Sequence, residues 1–161
     1  MKIATADLCD ANEKSNTIQL VEPVFRHFGA INNFYGAIRT VATLEDNSKV
    51  KEILQEDGEG QVLVVDGAAS KRCALLGGNL AKLAFDNNWQ GIIVNGCVRD
   101  CDEIAEINIG VMALTSIPKR CTRLGLGTCD VTVKFAGCTF VTGEYIYADS
   151  DGIVINSIPL H

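Results

Sequence analysis

Gln61-Val62-Leu63-Val64-Val65-Asp66-Gly67 is a short, unbroken apolar run closed by a glycine. A strand with one wet face alternates apolar and polar residues, whereas a run like this one suits a strand covered on both faces. Gly91-Ile92-Ile93-Val94-Asn95-Gly96 repeats the pattern, and Gly110-Val111-Met112-Ala113-Leu114-Thr115 gives a third such strand. Helical spacing fills the gaps. Residues 47–56 place Val50, Ile53 and Leu54 on one face, closed by Gly58 and Gly60. Gly77-Gly78 opens a helix with Leu80, Leu83 and Ala84 on a common face, ended by Asn87-Asn88 and Gly91. A loop and short helix run from Cys97 to about Ile107. The order over residues 47–115 is α-β-α-β-α-β, with connections short enough for a parallel sheet covered by helices.

Outward from this centre the pattern changes. Residues 34–43 have the β-branched and aromatic content of a strand, and residues 5–11 read as a short helix with Thr5 as its N-cap. Val131, Val133 and Phe135 alternate with Thr132 and Lys134, as a half-exposed antiparallel strand does. Short strands at 138–141, 145–148 and 152–155 follow, punctuated by Gly137, Gly143 and Gly152. The expected fold class is α/β: a parallel α/β centre and an antiparallel C-terminal part, in two layered sheets with helices outside. No repeat, low-complexity tract or linker divides the chain, so residues 1–161 read as a single domain.

Composition narrows the function. The chain has 161 residues, 14 Lys+Arg against 20 Asp+Glu, a formal net charge of -6 and 47% hydrophobic residues, enough to bury a core. The acidic balance argues against direct nucleic-acid binding, which needs a concentrated basic face. No apolar run approaches the roughly 18 residues that span a bilayer, and Met1 to Asp7 show no export pattern, so a cytoplasmic protein away from membranes is expected. With two histidines, His27 and His161, a His-built metal site is nearly excluded. The seven cysteines (Cys9, Cys73, Cys97, Cys101, Cys121, Cys129, Cys138) are odd in number and contain no Cys-x-x-Cys pair. They are expected to be free thiols packed as small apolar groups.

Chemistry concentrates between Gly77-Gly78-Asn79-Leu80 and Arg99-Asp100-Cys101-Asp102-Glu103. Ligands in open α/β sheets gather outside the carboxyl ends of strands, and a glycine-rich helix start exposes unpaired N–H groups to an anion. Arg99 offers a planar fork that matches a carboxylate in bidentate fashion. Asp100 offers a hard oxygen suited to Mg²⁺ or Mn²⁺, and Glu103, a helical neighbour of Asp100, could orient a water. The alternative for the same residues is a capped helix start with Arg99 in a surface ion pair. Weaker candidates are the cationic cluster Lys119, Arg120 and Arg123, the turn Ser70-Lys71-Arg72, His27 as a packed residue, and the acidic turn around Asp149 and Asp151.

At these residues the sequence resembles the RraA-like family, which includes regulators of ribonuclease E activity and class II 4-hydroxy-4-methyl-2-oxoglutarate aldolases. The likeness runs through Ala6-Asp7-Leu8-Cys9-Asp10, Val64-Val65-Asp66-Gly67, Gly96-Cys97-Val98-Arg99-Asp100, and Tyr147-Ala148-Asp149 before Gly152-Ile153. The family's enzymatic motif reads here as Gly78, twenty residues, Arg99-Asp100, two residues, Glu103. The resemblance implies a swivelling-domain-like αββα fold and a homotrimer with its active site between subunits. It also implies that Gly77, Gly78, Asn79, Leu80 and Arg99 contact a pyruvate-like substrate and that Asp100 binds a divalent metal. Asn79 stands where many relatives carry an acid, and the chain closes at His161 without the acidic tail that aldolase members draw from a neighbouring subunit. Two functions follow as expectations. One is a metal-dependent lyase, aldolase or oxaloacetate decarboxylase, acting on pyruvate-type keto acids through a metal-stabilised enolate, with decarboxylation retained better than cleavage. The other is a non-enzymatic inhibitor of ribonuclease E, drawn to basic segments of that enzyme by the acidic surface.

Overall fold

The computed structural model describes residues 2–161. In chain order the elements are α1 (Thr5–Ala11), β1 (Gln19–Leu20), β2 (Arg26–His27), β3 (Phe34–Ala42), α2 (Ser48–Leu54), β4 (Val62–Asp66) and β5 (Ala74–Leu76). There follow α3 (Gly78–Asp86), β6 (Gly91–Val98), α4 (Cys101–Ile104), β7 (Gly110–Ser116), β8 (Thr128–Cys129), β9 (Val133–Phe135), β10 (Cys138–Phe140), β11 (Tyr145–Ala148) and β12 (Ile153–Asn156).

The apolar runs pair in parallel, Val64 opposite Ile93 and Ile93 opposite Met112, with β3 joining on the other flank through Thr40 opposite Val64. Both faces are buried, as the lack of alternation requires. Leu63, Val65, Ile92, Val94 and Val111 pack under Val50, Ile53 and Leu54 of α2 and Leu80, Ala81 and Ala84 of α3. The residues that alternate with these along the strands face the opposite way. Val62, Val64, Ile93 and Met112 meet Phe34, Phe140, Ile146, Ile153 and Ile155. Gly91 and Gly110 begin β6 and β7 without side chains because the Phe34 ring fills the space a Cβ would need at either position.

The two expected sheets are one. β3 is long enough to serve both halves: Phe34 to Ala37 pair antiparallel with β11, and Ile38 to Ala42 pair parallel with β4. The sheet therefore curls continuously in the order β1-β12-β11-β3-β4-β6-β7-β2, and only the hairpin β9-β10 stands apart. Tyr147 and Val154, on the outer face of the antiparallel limb, pack against Ile3, Leu8 and Cys9 at α1. The layers run helices, parallel sheet, antiparallel limb with hairpin, then α1. No helix among the described residues is long and apolar enough to cross a membrane.

Three local expectations change. Thr5 is the first residue of α1, not its N-cap: Ala4 holds that position, and the Thr5 hydroxyl donates to Asp149 Oδ1 at 2.7 Å. The stretch read as a turn before Gly77 contains β5, whose three buried residues pair with β6 and are too few to leave a periodic signal. The cysteines are not all free, because Cys73 and Cys121 form a disulfide.

Candidate active site

β5 and β6 run parallel, and the Arg99 N–H donates to the Leu76 carbonyl at 2.9 Å, carrying their pairing past the end of β6. Gly77-Gly78 and Arg99-Asp100 thus emerge together at the carboxyl ends of two neighbouring strands. Asp100 then takes a left-handed backbone (φ 59°, ψ 43°), which a short polar side chain tolerates better than a branched one. Its Oδ2 accepts the Gly78 N–H at 2.9 Å, so the carboxylate caps the mouth of α3. This corrects the expectation that Asp100 and Glu103 are neighbours within a helix. Asp100 precedes α4, and Glu103 reaches Gly78 because the sharp turn folds α4 back over it.

The glycine pair is there for space. Gly77 has an extended backbone open to any residue, but a Cβ on it would lie 2.8 Å from Asp100 Oδ2 and 3.4 Å from Arg99 Cγ and Nε. A Cβ on Gly78 would overlap the Glu103 carboxylate. The Asn79 and Leu80 N–H groups, in the first turn of α3, have no hydrogen-bond acceptor among the described residues. They are the orphan donors of the helix start.

A cavity of about 160 Å³ opens at this mouth, lined by Gly77, Asn79, Leu80, Arg99 and Asp100 together with Asn47, Ala74, Arg120 and Arg123. The Leu80 side chain is buried in the core, so what it presents to the cavity is backbone. Glu103 does not line the cavity and sits behind Gly78. Of the weaker candidates, Arg120 and Arg123 are brought to the site and Lys119 is not among its lining residues. Three guanidiniums therefore face one space, and none of them forms an ion pair among the described residues. Arg123 Nε donates to Asn47 Oδ1 at 3.0 Å. The expected surface ion pair for Arg99 does not form. On its other side, Arg99 borders a hollow of about 220 Å³ with Ser116, Ile117 and Pro118.

The loop carrying Arg120 and Arg123 is held by groups the sequence did not single out. Between Pro118 and Thr128 only Cys121 is buried. Cys121 is bonded to Cys73 across 4.9 Å between Cα atoms, within bridging distance. The Ala74 N–H donates to the Lys119 carbonyl at 2.7 Å, and the Cys121 N–H to the Ala74 carbonyl at 3.2 Å. This pairing with β5 is what brings the two cysteines together. Farther along, the Leu124 N–H donates to Asp46 Oδ2 at 2.6 Å. Burial alone would raise the Asp46 carboxyl, but bonds from the Ser48 side chain and from the Ser48, Leu124 and Leu126 amides outweigh it and hold it below the usual carboxylate value.

The remaining candidates lie elsewhere. His27 Nε2 donates to the Asp149 carbonyl at 2.7 Å, with the ring edge-on to Phe34, as in a packed residue. Ser70 and Arg72 both bond Glu45 in a surface turn. Asp149 accepts the Thr5 N–H and hydroxyl, tying α1 to the sheet.

No group of three His, Cys, Asp or Glu side chains is arranged to hold a metal among the described residues. A fully protein-built cage is thus not present. Mg²⁺ needs less, since one or two carboxylates with water and substrate oxygens suffice. Asp100, with one oxygen engaged by Gly78 and the other free of any protein donor, fits that donor set.

The chain matches the family model described as RraA-like, Aldolase/RraA, over residues 5–155. A Burkholderia mallei protein named by inference as a 4-hydroxy-4-methyl-2-oxoglutarate aldolase is 50% identical over 159 residues, covering 97% of this chain and 96% of that protein. The crystal structure of a Geobacillus kaustophilus protein, described as an S-adenosylmethionine:2-dimethylmenaquinone methyltransferase, superposes with TM-score 0.95 at 42% identity, over 98% of this chain and 97% of that one. The RNA-processing inhibitor RraA from Thermus thermophilus superposes with TM-score 0.93 at 41% identity, over 99% and 95%.

Proposed function

Because the chain belongs to the RraA-like family, we propose that the cavity at the mouth of α3 is the active site of a divalent-metal-dependent lyase for pyruvate-type keto acids. The reactions are cleavage of 4-hydroxy-4-methyl-2-oxoglutarate and decarboxylation of oxaloacetate. The similar structures are described with different activities, so the residues must select the chemistry. The observation that carries this reading is the meeting of Arg99, Asp100 and the free Asn79 and Leu80 amides around one small cavity.

Arg99 receives the substrate's C1 carboxylate on its guanidinium fork, and the two amides complete an anion cradle. A divalent cation, Mg²⁺ or Mn²⁺, held by Asp100 would supply a Lewis acid beside the 2-keto oxygen. Asp100 also anchors the Gly78 amide, so the carboxylate and the helix mouth keep fixed relative positions. In decarboxylation, the bond from C3 to the leaving carboxylate breaks, CO2 departs, and the electron pair becomes a pyruvate enolate. Its negative charge develops between Arg99 and the α3 amides, which need no reorganisation to meet it. In aldol cleavage the C3–C4 bond breaks instead, and the 4-hydroxyl proton must go to a base. Glu103, behind Gly78, takes that proton through a water. Decarboxylation has no hydroxyl to deprotonate and does not depend on Glu103 for this step. Both substrates carry a second carboxylate, which Arg120 and Arg123 accommodate.

The test is a coupled pyruvate assay with oxaloacetate and with the aldol substrate, with and without Mg²⁺. We expect metal-dependent turnover that Asp100→Ala abolishes. Undiminished turnover in chelator would refute the metal role.

A second reading, inhibition of ribonuclease E, is supported by the likeness to the Thermus thermophilus inhibitor and by the net charge of -6, which attracts basic segments. A pull-down against ribonuclease E in a salt titration tests it, and capture insensitive to salt would count against it. For either role we propose a homotrimer.

A further inference from the structure

We infer that the Cys73–Cys121 pair is a positioning device for the cavity: the disulfide holds Arg120 and Arg123 toward Arg99, and its reduction by a dithiol releases them. The inference rests on the keto-acid reading for its ligand, though not for the motion itself.

Little apolar burial fixes this loop. Residues 118–128 are solvent-facing apart from Cys121. Leu124 and Leu126 are 72% and 55% exposed, so no apolar side chain on that side roots the segment. What remains is hydrogen bonding: between the loop backbone and Ala74, from Thr122 to the Glu45 carbonyl, from the Asn47 N–H to the Thr122 carbonyl, from Leu124 to the Asp46 carboxylate, from Gly125 to the Ser48 hydroxyl and from Arg123 to Asn47. Segments held chiefly by hydrogen bonds beside solvent open readily. Opposing them, Arg99, Arg120 and Arg123 line one cavity whose one lining carboxylate, Asp100, forms no ion pair with any of them, so the loop carries like charges toward a like charge. The covalent link across 48 residues is the one contact that repulsion cannot loosen.

Reduction conserves atoms and electrons. A thiolate of the dithiol attacks one sulfur of the pair and displaces the other as a thiolate. The second thiol of the reagent then closes on the mixed disulfide. The dithiol leaves as a cyclic disulfide, having given up two electrons, and Cys73 and Cys121 each gain a hydrogen. Their side chains sit in residues only 6% and 3% exposed, so attack waits on local opening of the loop. Glutathione disulfide reverses the process and becomes two molecules of glutathione.

The consequence is selective. Arg99 directly follows β6 and the amides belong to α3, so their backbones do not move with the loop and a monocarboxylate keeps its cradle. A keto acid with a second carboxylate loses the contact that Arg120 and Arg123 supply.

The test compares the full chain equilibrated with glutathione disulfide and after dithiol treatment. Alkylation should count five free thiols in the first state and seven in the second. Hydrogen exchange at the Cys121, Leu124 and Leu126 amides should accelerate on reduction. KM for oxaloacetate should rise roughly fivefold to tenfold, the scale of one charge-assisted contact. Under the same change kcat, and the inhibition constant of pyruvate, should each move less than about twofold. Cys73→Ser with Cys121→Ser should behave as the reduced protein and ignore dithiol, and the reversible wild-type experiment stands if that variant folds poorly. Seven thiols after oxidation, or exchange and the oxaloacetate-to-pyruvate ratio both unchanged by reduction, would overturn the inference. Absence of any keto-acid turnover would instead overturn the lyase reading, and loop exchange would still decide the tether.

Discussion

Replacing Gly78 with alanine separates the needs of the fold from those of the chemistry. Gly78 opens α3, and alanine is favoured over glycine in a helix by up to about 1 kcal/mol. The nearest atoms to the added Cβ all belong to the Glu103 carboxylate, the far end of an exposed and flexible side chain. The strain is relieved by swinging Glu103 aside, with little backbone displacement. Gly78→Ala should therefore melt within about 1 kcal/mol of the wild type, on either side, in urea titrations. Aldol cleavage should nevertheless fall about 100-fold, the lower scale of a positioned acid-base group. Glu103→Ala should lose the same amount, and the double variant no more than either single one, because both changes remove one function. Oxaloacetate decarboxylation should suffer least in all three. Full aldol activity in Gly78→Ala, or additive losses in the double variant, would refute the idea that the motif glycine exists to admit Glu103.

Asp100→Asn keeps an oxygen to accept the Gly78 N–H but loses the charge, whereas Asp100→Ala loses both. Turnover should vanish in both variants, and only the alanine variant should show the roughly 1 kcal/mol loss of a helix cap by thermal melting. Dithiol reduction should destabilise the chain by about 4 kcal/mol in urea, the chain-entropy estimate for a closed loop of 48 residues, and a cost near zero would mean the loop contributes nothing to the unfolded ensemble. Acid should act through Asp46 and Asp149, whose carboxyls are held low by amide and hydroxyl donors that outweigh burial. A carboxyl lowered on folding stabilises above its unfolded value, near 3.9, and that contribution is lost as pH falls through the lower folded value. Stability should be flat above roughly pH 5 and decline below about pH 4, with Asp46→Asn flattening the slope.

The parallel centre was legible because burial on both faces writes itself as unbroken apolar runs at 62–65 and 91–94. Arg99 and Asp100 of the candidate site stood out for a different reason, since with Gly78 and Glu103 they carry a spacing that resembles a family motif. Their geometry was not legible. The left-handed turn at Asp100 has no signal in a residue type common to turns and caps, so Glu103's approach to Gly78 could not be read. β5 is too short to show a period, and without it nothing placed Cys73 beside Cys121 or Arg120 beside Arg99. Asp46 gives no cue either, because its partners are amides of a loop far along the chain. The continuity of the sheet was missed because β3 changes partners midway while its own sequence stays uniform.

The most direct measurement is a crystal structure with Mn²⁺ and oxalate, a planar mimic of the pyruvate enolate, located by the metal's anomalous signal. The account predicts oxalate held by the Arg99 guanidinium and the Asn79 and Leu80 amides, with manganese between it and Asp100. Oxalate bound away from the α3 mouth, or manganese with no contact to Asp100, would contradict it.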